Sequence, residues 1–138
     1  MKSLALVLLA AALPPNPKEL ADYVDEFSKA CGRKVSTPIF FGKAPKGVVA
    51  FCAWEEETEN KWITVDKRAW AELSDAQKRW TIFHELGHCE LGLDHVETFP
   101  PSIMNSVVPV NPEAFWSPRL VREFCSSKGT LPLTPEGR

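Results

Sequence analysis

All three histidines of this chain, His84, His88 and His95, fall in the stretch "TIFHELGHCELGLDHV", and Glu85 stands directly after the first of them. Residues four apart on a helix share a face, so the imidazoles of His84 and His88 can reach one metal ion. A hydrolytic zinc site needs a third protein ligand and keeps its fourth position for water or substrate. Gly92 turns the chain and His95 follows three residues on, which completes the string HExxHxxxGxxH. In that arrangement Glu85 is not a ligand. It is the catalytic general base, placed to take a proton from a water acidified by one Zn2+ ion and to hand it to a leaving group.

These side chains depend on the elements that carry them. Ser74 followed by Gln77 is a capping box, and Trp80, Phe83, Leu86 and Leu91 continue at helical spacing, predicting a helix over about Asp75 to Leu91. Gly92 can adopt the left-handed conformation that ends it. Upstream, "PKELADYVDEFSKACG" places Leu20, Tyr23, Val24, Phe27 and Cys31 on one face before Gly32, a first helix with a glycine cap. Between the two helices a strand is expected near Val35 to Phe41. A hairpin is expected to pair Val48 to Glu55 with Lys61 to Asp66 around an acidic turn. The segment Glu97 to Trp116 is proline-rich and reads as irregular, and a last helix starts at Ser117 with Pro118 in its first turn. Helices with a few strands between them make an α+β fold.

A length of 138 residues suits one domain, expected over 13–138. The net charge of -2 gives no footing for a nucleic-acid partner or an anionic membrane surface. The opening "MKSLALVLLAAAL" sets a lysine before a short apolar run ending in small residues, the pattern of a signal peptide over 1–12 with cleavage before Leu13. The run is too short to span a bilayer, so the expectation is a secreted or periplasmic protein, monomeric, with no stable membrane insertion. Only Pro14 to Pro17 separate that segment from the first helix, so no activation cleavage is expected. Four cysteines without a CxxC pair favour two disulfides. The expected pairing is Cys31 with Cys52 and Cys89 with Cys125.

Taken together, HExxHxxxGxxH and Met104 in "PPSIMNSV" resemble the metzincin metallopeptidases, in the spacing of the archaemetzincins. Most metzincins have glycine and the third histidine one residue earlier, where this chain has Leu91 and Asp94. Because some use aspartate as third ligand, Asp94 competes with His95, but Gly92 keeps the usual distance to His95. The archaemetzincin cysteines for a second zinc do not follow, since Val96 comes next. The resemblance implies a compact zincin-like domain with a small mixed β-sheet, an active-site helix, a methionine turn at Met104 under the imidazoles, and a C-terminal helix. It implies a zinc endopeptidase acting on a peptide or protein substrate. The substrate would lie antiparallel to an upper edge strand, for which Val48, Val49, Ala50, Phe51, Cys52 and Ala53 are the candidates, and Ser106 to Pro109 would line the pocket beyond the scissile bond. A zinc-stabilised binding module without turnover, or a zinc amidase acting on cell-wall peptides, would need the same metal ligands.

Overall fold

The computed structural model describes residues 16–127. The signal segment expected over 1–12 and the tail after Ser127 lie outside the described residues. Helix α1 (Lys18–Cys31) buries Leu20, Val24 and Phe27 and ends at Gly32, whose φ of 61° is the left-handed cap its sequence predicts. Three strands follow: β1 (Ile39–Gly42), β2 (Ala50–Trp54) and β3 (Lys61–Asp66). Next come a short α2 (Lys67–Ala71), the long α3 (Asp75–Cys89), a 3-10 turn (Pro112–Ala114) and α4 (Pro118–Ser126).

The sheet order is β1-β3-β2, with β1 parallel and β2 antiparallel to β3, so the sheet is mixed and β2 forms one edge. Strand β1 is shorter than the expected Val35 to Phe41. Thr37 is diverted from the ladder because its amide and hydroxyl both donate to the Glu90 carboxylate at the far end of α3. The hairpin pairs the expected segments, with Cys52 opposite Ile63 and Trp54 opposite Lys61, but its first strand runs Ala50–Trp54 rather than from Val48 to Glu55, because the Val48 amide turns back to the Pro45 carbonyl. Helix α2 was not expected from the sequence. Five residues leave little room for a periodic signal, and the helix begins where the Asp66 side chain caps the Ala69 amide at the end of β3.

Helix α3 starts in the predicted capping box, with Ser74 and Gln77 exchanging side-chain bonds to each other's amides. It ends at Cys89, two residues before the expected Leu91, while Gly92 takes φ 65° in the turn beyond it. Every residue from Trp80 to Cys89 is buried, because α3 packs on β2 and β3 with one face and on α1 with another. Trp80, Ile82, Phe83 and Leu86 join Leu20 and Phe27 of α1, Ile63 and Val65 of β3 and Phe124 of α4 in a single core. At roughly 1.5–3 kcal/mol for each large apolar side chain removed from water, this contact fixes the α3 backbone that carries His84 and His88.

The cysteines pair as Cys31–Cys125 and Cys52–Cys89, not as expected. Because α4 packs along α1, Cys125 comes within 5.1 Å (Cα to Cα) of Cys31. The edge strand β2 lies against α3 and brings Cys52 within 5.8 Å of Cys89. The expected pairing joined sequence neighbours; the fold joins elements that pack. Two disulfides suggest an oxidising, extracellular-type compartment. Among the described residues no helix is long and apolar enough to cross a membrane.

Candidate metal centre

His84 and His88 project from α3 as their spacing requires, and the turn at Gly92 returns His95 to them. One ring nitrogen from each of the three lies within 4.8 Å of the others, and the closest pair, Nε2 of His84 and Nε2 of His95, stands at 3.2 Å. Two ligands of one tetrahedral zinc, each about 2.0–2.1 Å from the metal, are roughly 3.3 Å apart. The trio therefore needs only a small contraction to close on an ion.

The ring orientations fit a metal as well as the distances do. His84 Nδ1 is 2.7 Å from the Ile103 carbonyl and His88 Nδ1 is 2.6 Å from the Leu93 carbonyl. A carbonyl can only accept, so each Nδ1 carries the proton and each Nε2 presents a lone pair to the centre, the arrangement in which an outer partner fixes a ligand's tautomer. Burial pushes the His84 imidazole down to about 4 and the His88 imidazole down to about 3, so both are neutral and ligating at physiological pH. His88 Nε2 is fully buried with no hydrogen-bond partner among the described residues, an expensive condition for a polar atom that a cation would relieve. His84 and His88 are buried and His95 is exposed, giving a site open on one side. Asp94, the competing third ligand, is exposed and does not belong to the group.

Glu85 is buried, and its Oε1 accepts a 3.0 Å bond from the Cys52 amide on β2. The Cys52–Cys89 disulfide clamps the same strand to the same helix, so the carboxylate is oriented by a backbone donor that is itself tied covalently to α3. Glu85, His84 and His95 share a cleft of about 420 Å³ with Val48, Val49 and Ala50. Ser106 and Val108 line it from the segment after Met104. Two of its polar lining residues are engaged within the protein: the Thr81 hydroxyl donates to the Gln77 carbonyl, and the Gln77 side chain serves the capping box and the Val110 carbonyl. A larger depression of about 750 Å³ lies between the loop before β1 and the C-terminal end of α3. There the buried Glu90 carboxylate is already committed to Thr37 and Arg33.

Of the expected edge-strand residues, Ala50, Phe51, Cys52 and Ala53 lie in β2 at the sheet edge, while Val48 and Val49 precede it and line the cleft. At Cys52 the outward amide is engaged by Glu85. Met104 is buried, and its Sδ packs on the turn of α3 between His84 and His88, so close that a Cβ on Gly87 would meet it at 2.5 Å. The one tyrosine, Tyr23, donates to Asp75 and stands edge-on to Trp70, a structural role. The carbonyls of Ile103 and Leu93 and the amide of Cys52 could not be found in the sequence, because a backbone group has no residue-type signature. No protein-family model matches this chain, and no curated protein or solved structure is significantly similar to it.

Proposed function

We propose that the chain is a zinc-dependent endopeptidase. The observation that supports this most directly is the convergence of three imidazole nitrogens beside a buried carboxylate in one open cleft. A purely structural zinc site ordinarily closes its fourth position with a protein ligand and has no use for a general base. Three neutral imidazole donors with no thiolate among them suit zinc among the common divalent ions. Bound there, zinc would supply a Lewis acid that draws the pKa of water toward neutrality and polarises a carbonyl.

The rest of the reaction falls to the chain's own side chains. His84 and His88 are held in their ligating tautomer by Ile103 and Leu93, so no reorganisation of these rings precedes catalysis. Glu85, aimed by the Cys52 amide, takes the proton of the attacking water and delivers it to the leaving amine. Because the Val48 amide already donates to the Pro45 carbonyl and the Val49 carbonyl accepts from the Asp66 amide, the main chain against which an extended peptide can align begins at Ala50, with Ser106 and Val108 also lining the cleft. The Cys52 amide would be shared between Glu85 and any strand that reached so far. The disulfides agree with an exported enzyme.

The test is a diverse peptide mixture incubated with zinc-loaded wild type and with Glu85→Ala, scored by mass spectrometry with zinc content measured for both. Expected are cuts by wild type only and full zinc occupancy in both, with the variant slower by roughly 10²–10⁴-fold. Retained peptidase activity in Glu85→Ala would overturn the assignment of the base. Zinc-loaded wild type that cuts no peptide would overturn the peptidase.

A further inference from the structure

His95 differs from the other two histidines in being carried by irregular chain. It lies on the segment between Gly92 and Met104, exposed, with neither helix nor strand to hold it. A ligand on such a segment binds metal tightly only if the segment is ordered beforehand, because otherwise the ordering entropy is charged against the metal.

The segment is fastened to the one that follows it by side chains that imitate a β-ladder. One main-chain bond starts it, from the Val96 amide to the Met104 carbonyl, 3.0 Å. Asn105 then treats Thr98 as a strand neighbour would: its Oδ1 accepts from the Thr98 amide at 3.3 Å and its Nδ2 donates to the Thr98 carbonyl at 2.9 Å. The same Oδ1 accepts from the Ser102 amide at 3.1 Å, closing the intervening turn. On the other side Glu97 Oε1 accepts from both the amide and the hydroxyl of Ser106. Residues 96–98 are thereby zipped to 104–106. This second segment follows directly on Ile103, whose carbonyl orients His84, and it holds Met104, packed under α3.

We infer that Asn105 and Glu97 are positioning residues for the metal centre, fixing His95 against His84 before a metal arrives. Neither side chain belongs to the three-histidine group; Asn105 acts through the backbone it pins, and Glu97 does so through Ser106 while its carboxylate also lies within electrostatic reach of His84 and His95. The inference rests on the metal-binding part of the proposed function and is independent of whether peptides are cut.

The experiment measures zinc affinity by competition with a chromophoric chelator, and the visible spectrum of the cobalt-substituted protein, for wild type, Asn105→Ala, Glu97→Ala and Glu97→Gln. The expected result is a loss of zinc affinity of about 10- to 100-fold in each alanine variant, the range seen when groups supporting a ligand are removed, with altered cobalt absorption. The thermal midpoint of the metal-free protein should stay near that of wild type. Glu97→Gln keeps an acceptor for Ser106 and should recover most of the affinity. Affinities within twofold of wild type and unchanged cobalt spectra would overturn the inference. If Asn105→Ala does not fold, the exposed Glu97 decides through its two variants. Wild type that binds no zinc would overturn both this inference and the proposed function, whereas zinc binding without peptidase activity would overturn only the latter and leave the affinity ratios to decide.

Discussion

Gly87 sits in α3 between His84 and His88, where a Cβ would come within 2.5 Å of Met104 Sδ and 2.9 Å of Phe124 Cε1. Ordinary contact begins at about 3.5 Å, so in Gly87→Ala the methionine sulfur must retreat by about 1 Å. Met104 and Phe124 are both buried, and neither can swing into solvent. Overpacking of this kind costs about 1–3 kcal/mol, while replacing a helix-interior glycine by alanine returns about 1 kcal/mol. The expected net effect is about 1 kcal/mol of destabilisation, or a thermal midpoint lower by about 4 °C for a domain of this size. Met104→Ala alone should cost about 2–5 kcal/mol through the cavity it leaves. The double variant decides the matter, because the new methyl group would enter that cavity. Urea denaturation of wild type, both single variants and the double variant should show the double variant at least 1 kcal/mol more stable than the sum of the singles predicts. Additivity within about 0.5 kcal/mol would refute the packing of Met104 on Gly87 as the reason for glycine here.

Acidification should weaken the metal-free protein. Burial holds the folded-state pKa of His84 at about 4 and of His88 at about 3, below the unfolded 6.5. Below pH 6.5 the unfolded chain therefore binds more protons, so stability is complete above that pH and is lost as pH falls through these values, by up to about 1.4 kcal/mol per pH unit for each group. Urea melts between pH 7.5 and 4.5 test this, and a flat profile would show that the rings are not buried as neutral groups. Removing the disulfides should destabilise by about 4 kcal/mol for Cys52–Cys89 and about 5 kcal/mol for Cys31–Cys125 on chain entropy, from sequence separations of 37 and 94. Only the loss of Cys52–Cys89 should also lower turnover by freed, folded protein, because only that bridge ties the strand that orients Glu85. Equal turnover in the two double-alanine variants would contradict that coupling.

What could be read from the sequence was local. The capping box at Ser74, the glycine closing α1, Pro118 opening α4 and the four-residue interval of His84 and His88 each depend on groups within a turn or two of one another, where the periods of helix and strand fix geometry without knowledge of the fold. The pairing of the two hairpin segments was legible for the same reason. Helix α2 was not, since five residues carry too little periodicity, and the start of β1 was displaced by a bond that Thr37 donates to Glu90, 53 positions away. The cysteine pairing depended on which elements pack, which the sequence did not reveal, and the expected bridge from the motif helix to the C-terminal helix was the wrong one. Types and spacing placed three imidazoles and a carboxylate within reach of one another. Only the tertiary structure decided which carbonyls set the ring tautomers, which amide aims Glu85 and which side chains pin the segment bearing His95, because backbone groups are chemically the same at almost every position and acquire a role only when the fold brings them to a site.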